Sequence, residues 1–239
     1  MNKDTVILTT ATCDNEYRNV FRVFITSLRE NIPEQNRPAI IADLINVDDK
    51  TVKTFTSIYP NLKVNSTLLP GADWTDRNNT IQIMRIRPHT LLATMNEGWR
   101  HVVTIDCDSI IRGDIKELWN DVGQDNIKIL YRPERKNEFT RFQAGVWCIG
   151  NSEITRRYWR ELIDFLGNNW TFYDGQTAMY KIWFQKYRHA IPLIKLEKKF
   201  NDWEFNKKSI IWHSKRSHIN EDKFMVEFNQ YLEISKKYE

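Results

Sequence analysis

The 239-residue chain predicts an α/β fold, and three observations carry that expectation. Its first half alternates β-rich runs with helix-periodic segments in the order β, α, β, α, β, α, β, the pattern of a sheet covered by helices. Its composition, 41% apolar and 13% aromatic, is that of an ordered chain with a buried core. The fourth strand-like run ends in two aspartates, and α/β sheets take their ligands beyond the carboxyl ends of their strands.

The elements follow in order. "TVILTTAT" is β-rich, and "YRNVFRVFITSLREN" then places Val20, Val23, Phe24, Ser27 and Leu28 at helical spacing. "AIIADLINV" reads as a buried strand, "DKTVKTFTSIY" as a helix capped by Asp48 or Asp49, and "NLKVNSTLL" as a third strand. The stretch from Trp74 to Asn79 reads as a loop. "TIQIMRIRPHTLLATMNEGW" predicts a helix bent or restarted at Pro88, and "HVVTI" the strand that feeds the aspartates. Then come strands "IKILY" and "FQAGVWCIG", a helix "SEITRRYWRELIDFLG" capped by Ser152 and ended near Gly167, and a helix "QTAMYKIWFQKY". "SIIWH" is a late strand and "EDKFMVEFNQYLEISKK" a C-terminal helix. With no repeat, low-complexity tract or Pro/Gly-rich linker, residues 1–239 read as one domain.

Bulk properties exclude more than they assign. Mean hydropathy is −0.58, and no apolar run is long enough to span a membrane. "MNKDTVILTT" lacks the length and cleavage pattern of a signal peptide. Three cysteines, Cys13, Cys107 and Cys148, have no metal-type spacing and read as reduced thiols, which predicts a cytoplasmic protein. A net charge of +4 is compatible with anionic ligands or peripheral contact at an acidic membrane surface. Lys and Arg are scattered except in "KSIIWHSKR", so no nucleic-acid stripe is expected. The nine tryptophans read as core. Nothing in the composition sets the oligomeric state.

Sixteen aspartates generate about one Asp-x-Asp by chance, so Asp106-Cys107-Asp108 gains value only from context. On an extended backbone residues i and i+2 point the same way, which lets Asp106 and Asp108 face one ion while Cys107 points into the sheet. Hard oxygen ligands suit Mg²⁺ or Mn²⁺ shared with phosphates. The chain has eight glycines and no GxGxxG, and "GVWCIGNS" lacks the lysine of a phosphate loop. A bound nucleotide would therefore need a metal to neutralise it.

"RPHTLLATMNEGWRHVVTIDCDSIIRGDIKELW" resembles the central segment of GT-A-fold glycosyltransferases, especially those similar to glycosyltransferase family 8. "FQAGVWCIG", "YDGQTAMYKIW" and "IIWHSKRSH" resemble further blocks of that family in the same order, together covering roughly residues 80 to 218. "VILTTATCDNEY" is similar to its nucleotide-binding first strand. The resemblance implies a single Rossmann-like GT-A domain with a central mixed, mostly parallel sheet flanked by helices. Residues 1–110 would bind the nucleotide and residues 111–239 the donor sugar and acceptor. It implies a glycosyltransferase that uses Mn²⁺ or Mg²⁺ to move a sugar from a nucleotide-sugar, UDP-sugar by default, to a glycan or other hydroxyl acceptor.

Residue by residue, the resemblance implies Asp106, Asp108 and His213 as metal ligands, with His218 the competitor for the third position. Thr9, Thr10, Ala11 and Tyr17 would line the base and ribose pocket. Arg85, Arg87, Lys215 and Arg216 would reach the diphosphate, and Cys107, Gln143, Ala144 and Gly145 complete the donor site. Gln143 stands where the family has asparagine, and the family's Asp-Gln pair is spread as Asp174-Gly175-Gln176. If Asp174 reaches the acceptor hydroxyl it is the general base of an inverting displacement. If Gln176 lies under the anomeric carbon, a retaining reaction is favoured, and the resemblance leans that way.

Two other classes are weaker. A haloacid-dehalogenase-type phosphohydrolase also ends a strand in Asp-x-Asp, but it wants threonine or valine where Ile110 stands, and no later acidic pair of its kind follows. A non-enzymatic nucleic-acid or polysaccharide binder lacks a basic stripe.

Overall fold

The apolar run near the N-terminus becomes the middle of a sheet. The structure is a computed structural model and describes residues 3–13, 15–70, 77–167, 174–214 and 222–238. Every residue of strand β1 (Thr5–Thr12) is buried, as a parallel strand with helices on both faces must be. Helix α1 (Asn15–Asn31), strand β2 (Ala39–Ile45), helix α2 (Asp49–Ile58) and strand β3 (Leu62–Thr67) follow. Of the two aspartates expected to cap α2, Asp48 does so, accepting the Thr51 N–H at 2.7 Å.

Helix α3 (Arg77–Asn96) then leads into strand β4 (His101–Ile105). Pro88 does not divide α3, which is assigned as one helix across it. Its carbonyl accepts the Trp159 indole N–H at 2.8 Å, and Leu91 and Met95 anchor the following turns in the core. Three residues of the expected loop, 77–79, are the first turn of α3; 71–76 lie outside the described residues.

The rest of the chain supplies β5 (Ser109–Ile111), β6 (Ile127–Tyr131), β7 (Phe142–Gly150), α4 (Glu153–Leu166), α5 (Asp174–Ile182), β8 (Leu193–Lys195), β9 (Ile211–His213) and α6 (Asp222–Ser235). Ser152 and Thr155 form a capping box at the start of α4, and Gly167 ends it at φ 47°. A π-helical turn, Trp183–Tyr187, extends α5. Sequence periodicity does not reveal β5 or β8, each only three residues long.

Seven strands form one sheet in the order β3-β2-β1-β4-β7-β6-β8. β1 is parallel to β2 and β4, and β2 to β3, while β7 runs antiparallel to both β4 and β6. The sheet is therefore mixed and mostly parallel, with helices on both faces. One apolar cluster joins α1, α2 and α6 to one face, and a second joins α3, α4 and α5 to the other. Strands from both halves of the chain hydrogen-bond within this sheet. A separate antiparallel ribbon pairs β5 with β9. Among the described residues no helix is long and apolar enough to cross a membrane.

One irregularity positions the site. The β6–β7 register jumps between Ile129, opposite Trp147, and Leu130, opposite Gln143. Residues 144–146 therefore bulge from the ladder with β6. The bulge carries Ala144 and Gly145 to the end of β4, where Asp106 donates its N–H to the Gly145 carbonyl at 2.8 Å.

Candidate metal centre

Asp106 and Asp108 occupy the junction between the two sheets. β4 ends at Ile105, the chain turns through 106–108, and β5 departs to pair with β9. The pairing sets Ser109 opposite His213, and Ser214 donates its N–H to the Asp108 carbonyl at 2.9 Å. Two sheets meeting at one corner thus bring together residues more than a hundred positions apart. The backbone at Asp106–Asp108 is a turn rather than the extended strand end expected. Even so, Cys107 points into the core as anticipated, and burial drives its thiol pKa well up.

Each of the three side chains has one atom anchored and another aimed at a common point. Asp106 Oδ1 accepts from Arg87 Nη1 at 2.6 Å, while Oδ2 lies 3.4 Å from His213 Nε2. Asp108 Oδ2 accepts from Ser214 Oγ at 3.0 Å, while Oδ1 lies 3.2 Å from the same nitrogen. His213 Nδ1 faces Asn201 Oδ1 at 2.9 Å, so Nδ1 carries a proton and Nε2 turns to the carboxylates. Two carboxylate oxygens facing Nε2 call for positive charge at that point, either a proton on Nε2 or a cation bound among the three groups. One ligand atom from each residue falls within 4.8 Å of the others. Oxygens and an imidazole nitrogen are a donor set that Mn²⁺ or Mg²⁺ accepts, and three protein ligands leave positions for phosphate oxygens. The residues fit such an ion.

The surroundings hold this arrangement. A Cβ at Gly145 would lie 2.5 Å from His213 Nδ1 and closer still to Cε1, so the imidazole occupies space that only glycine leaves open. Burial would raise the Asp108 carboxyl, but the charge of His213 and the hydrogen bonds from His213 and Ser214 hold it below its ordinary value. Burial would likewise lower the Arg87 guanidinium, and Asp106, with a smaller contribution from Asp43, keeps it above its ordinary value.

Arg87 thus sits between two carboxylates. Asp43, on β2 opposite Thr10 of β1, is 1% exposed. Its Oδ1 accepts from Asn65 Nδ2 at 3.0 Å, whereas Oδ2 is buried without a partner among the described residues. Burial raises its carboxyl, and Asn65, Thr90 and Arg87 offset this only in part. Thr10 Oγ1, Thr104 Oγ1 and Arg87 Nε are also buried without a hydrogen-bond partner among the described residues. A polar patch therefore underlies the carboxyl ends of β1, β2 and β4.

The other candidates vary in how close they come. Thr9, Thr10 and Ala11 are buried in β1 beside β2, and Tyr17 packs half-buried against the core from α1. Arg85 is half-buried on α3. Ala144 and Gly145 lie on the bulge, and Gln143 at its edge accepts from Arg132 Nη2 at 3.0 Å. Asp174 is the first helical residue of α5, although its side chain is outside the described set, and Gln176 follows half-buried in the first turn. Lys215, Arg216 and His218 lie outside the described residues. Sequence reasoning missed Asn201, Ser214 and Asp43. Only Asp43 left a local signal, a lone acid inside the apolar run "AIIADLINV".

No protein-family model and no curated protein sequence matches the chain. Solved structures do. The bifunctional glycosyltransferase WbbM in its apo form matches with a TM-score of 0.70 and 14% identity, over 100% of this chain and 52% of WbbM. The galactosyltransferase LgtC, solved with donor and acceptor sugar analogues, matches with a TM-score of 0.61 and 13% identity, over 97% of this chain and 95% of LgtC. The glycosyltransferase GlyE of Streptococcus pneumoniae gives 0.61 and 14%, over 98% of this chain and 64% of GlyE. The chain therefore spans about half of WbbM, less than two thirds of GlyE and nearly all of LgtC. At such identities the shared property is the fold: this chain has the GT-A fold of glycosyltransferases.

Proposed function

We propose that the chain is a divalent-metal-dependent glycosyltransferase that moves a sugar from a nucleotide-sugar, taken as a UDP-sugar, to a hydroxyl of a glycan acceptor with retention. Residues 1–110 would hold the nucleotide and residues 111–239 the donor sugar and acceptor, within one domain. The observation that carries this reading is the triad Asp106, Asp108 and His213, each anchored on its outer atom so that its inner atom converges. Anchoring of this kind fixes ligand direction before an ion arrives.

A bound Mn²⁺ or Mg²⁺ would supply charge stabilisation for the nucleoside diphosphate as it leaves the sugar. The chain's own residues then have separable tasks. Asn201 fixes the His213 tautomer, Ser214 orients Asp108, and Arg87 orients Asp106 while its guanidinium stands ready for phosphate oxygens. The bulge at Ala144 and Gly145 lets the donor sugar approach backbone rather than side chain. Gln176 is assigned to the sugar's reacting face and Asp174 to the acceptor side.

Calorimetric titration with Mn²⁺, alone and with UDP, tests the reading. Wild-type protein should bind both. Asp108→Ala should lose Mn²⁺ binding and slow metal-dependent UDP-sugar hydrolysis by about 10²–10³-fold, with an unchanged circular dichroism spectrum. Full activity in that variant would refute the metal assignment, and NMR of the product anomer decides retention.

A further inference from the structure

Near the candidate metal centre stands a cation with its orientation fixed and, among the described residues, no counter-charge in contact. Arg132 follows β6, and its guanidinium carbon lies 4.5 Å from the centre of the Trp203 ring. Arg132 Nη2 donates to Gln143 Oε1 at 3.0 Å. Stacking and hydrogen bonding together hold the guanidinium plane. Lys198 also approaches the Trp203 ring, at 5.5 Å, but its charge is matched by Glu204 at 2.7 Å. No carboxylate among the described residues lies within ion-pair distance of Arg132. Burial and the like charge of Arg135 outweigh the charges of Glu134 and Glu204 and lower its pKa, though a guanidinium stays protonated.

Both supports of Arg132 tie it to the candidate centre. Gln143 precedes Gly145 by two residues on β7, and Gly145 is the glycine against His213. Gln143 and Gly145 therefore stand two residues apart across the start of the bulge, on the same stretch of β7. Trp203 follows Asn201 by two residues, and Asn201 anchors His213. A rigid arginine here, with N–H donors left over after Gln143 has taken one, is a receptor for a planar or tetrahedral anion.

We infer that Arg132, held by Trp203 and Gln143, binds a carboxylate or phosphate carried by a sugar substrate, so that the protein handles an acidic donor or acceptor. The inference rests on the glycosyltransferase reading and gives it a substrate class. The anion could sit on the donor, as in a nucleoside-diphosphate uronate, or on the acceptor, as in an acidic or phosphorylated glycan.

The test has two arms and an internal control. UDP and Mn²⁺ binding are first measured by calorimetry. The donor arm compares UDP-glucose and UDP-galactose with UDP-glucuronate and UDP-galacturonate. The acceptor arm uses the tightest-binding donor with neutral, carboxylated and phosphorylated methyl glycosides. We expect one arm to show at least a tenfold lower KM for its anionic member. Arg132→Gln should erase that preference by raising the KM of the anionic member about 10- to 100-fold, with Mn²⁺ and UDP binding unchanged. Arg132→Lys should keep part of it, which separates charge recognition from a merely structural arginine. Equal use of neutral members in both arms, or a preference that survives Arg132→Gln, overturns the inference alone. Failure of the wild type to bind UDP and Mn²⁺ overturns the glycosyltransferase reading and this inference with it.

Discussion

The seven-stranded sheet and the β5–β9 ribbon are built on opposite terms. β1 and β2 share a seven-residue parallel register inside a sheet buried on both faces. The ribbon has three residue pairs, too few to hold itself together in water. It is pinned by side chains instead. Ile111 donates its N–H to Ser27 Oγ at 3.0 Å and accepts from Asn31 Nδ2 at 3.0 Å, both from α1. Arg112, next in sequence, stacks on Trp212 at 3.9 Å and bonds both carboxylate oxygens of Glu227 on α6, at 2.9 and 3.0 Å. The sheet supports itself, whereas the ribbon that carries His213 borrows its support. Stability and chemistry should therefore respond to different substitutions.

The largest expected effect tests the sheet. Trp147 on β7 is 2% exposed and stacks on Trp159 of α4, with ring centres 5.2 Å apart. Trp147→Ala should destabilise the protein by about 3–5 kcal/mol, measured by urea unfolding. The folded fraction should bind Mn²⁺ with wild-type affinity, because the side chain packs on the face opposite the ribbon. A parallel loss of metal affinity would show that sheet and ribbon are not separable.

This division also explains what the sequence could reveal. β1, β4, β6 and β7 coincide with the runs expected, because long apolar stretches announce buried strands by themselves. β9 falls inside the expected run "SIIWH", whereas β5 was not expected: it holds three residues, and the partner that makes Ser109–Ile111 a strand lies a hundred residues away. No local period encodes such a pairing. Asp106 and Asp108 stood out as an acidic pair at a strand end. His213 entered only through a family resemblance, and Asn201 and Ser214 left no signal, since their role is contact across the fold. The bulge at residues 144–146 was equally silent, because "FQAGVWCIG" reads as uninterrupted strand.

A smaller perturbation strikes the contact between the two regions. Gly145→Ala places a methyl against the His213 ring. His213 is held from behind by Asn201 and from its backbone by Asp202, so it can yield only by rotating away from the carboxylates. A loss of about 1–3 kcal/mol in stability and of about 10- to 100-fold in Mn²⁺ affinity is expected, read by unfolding and calorimetry. Ser27→Ala acts from further off, by orphaning the buried Ile111 N–H. It should cost about 1–2 kcal/mol and speed hydrogen exchange in β5 while leaving that of β1 unchanged. Uniform acceleration in both strands would mean that the ribbon unfolds only with the sheet.

The smallest effect sharpens the comparison from the sheet side, at Asp43. Its carboxyl is raised in the folded state by burial, so above the ordinary carboxylate pKa of about 3.9 the folded protein binds more protons than the unfolded chain. Stability contributed by this group is therefore present in acid and is lost as pH rises through the folded value. Asp43→Asn removes the titration while an amide can still meet Asn65 and Thr90. The variant should match wild type near pH 4 and become the more stable of the two as pH approaches neutrality, followed by thermal melts across that range. Arg87 should stay in place in the variant, because Asp106 is its stronger partner. If the variant is instead less stable at neutral pH, the ionised Asp43 supports Arg87 by more than its burial costs. The polar patch under the sheet would then belong to the chemistry of the ribbon rather than to the architecture of the sheet.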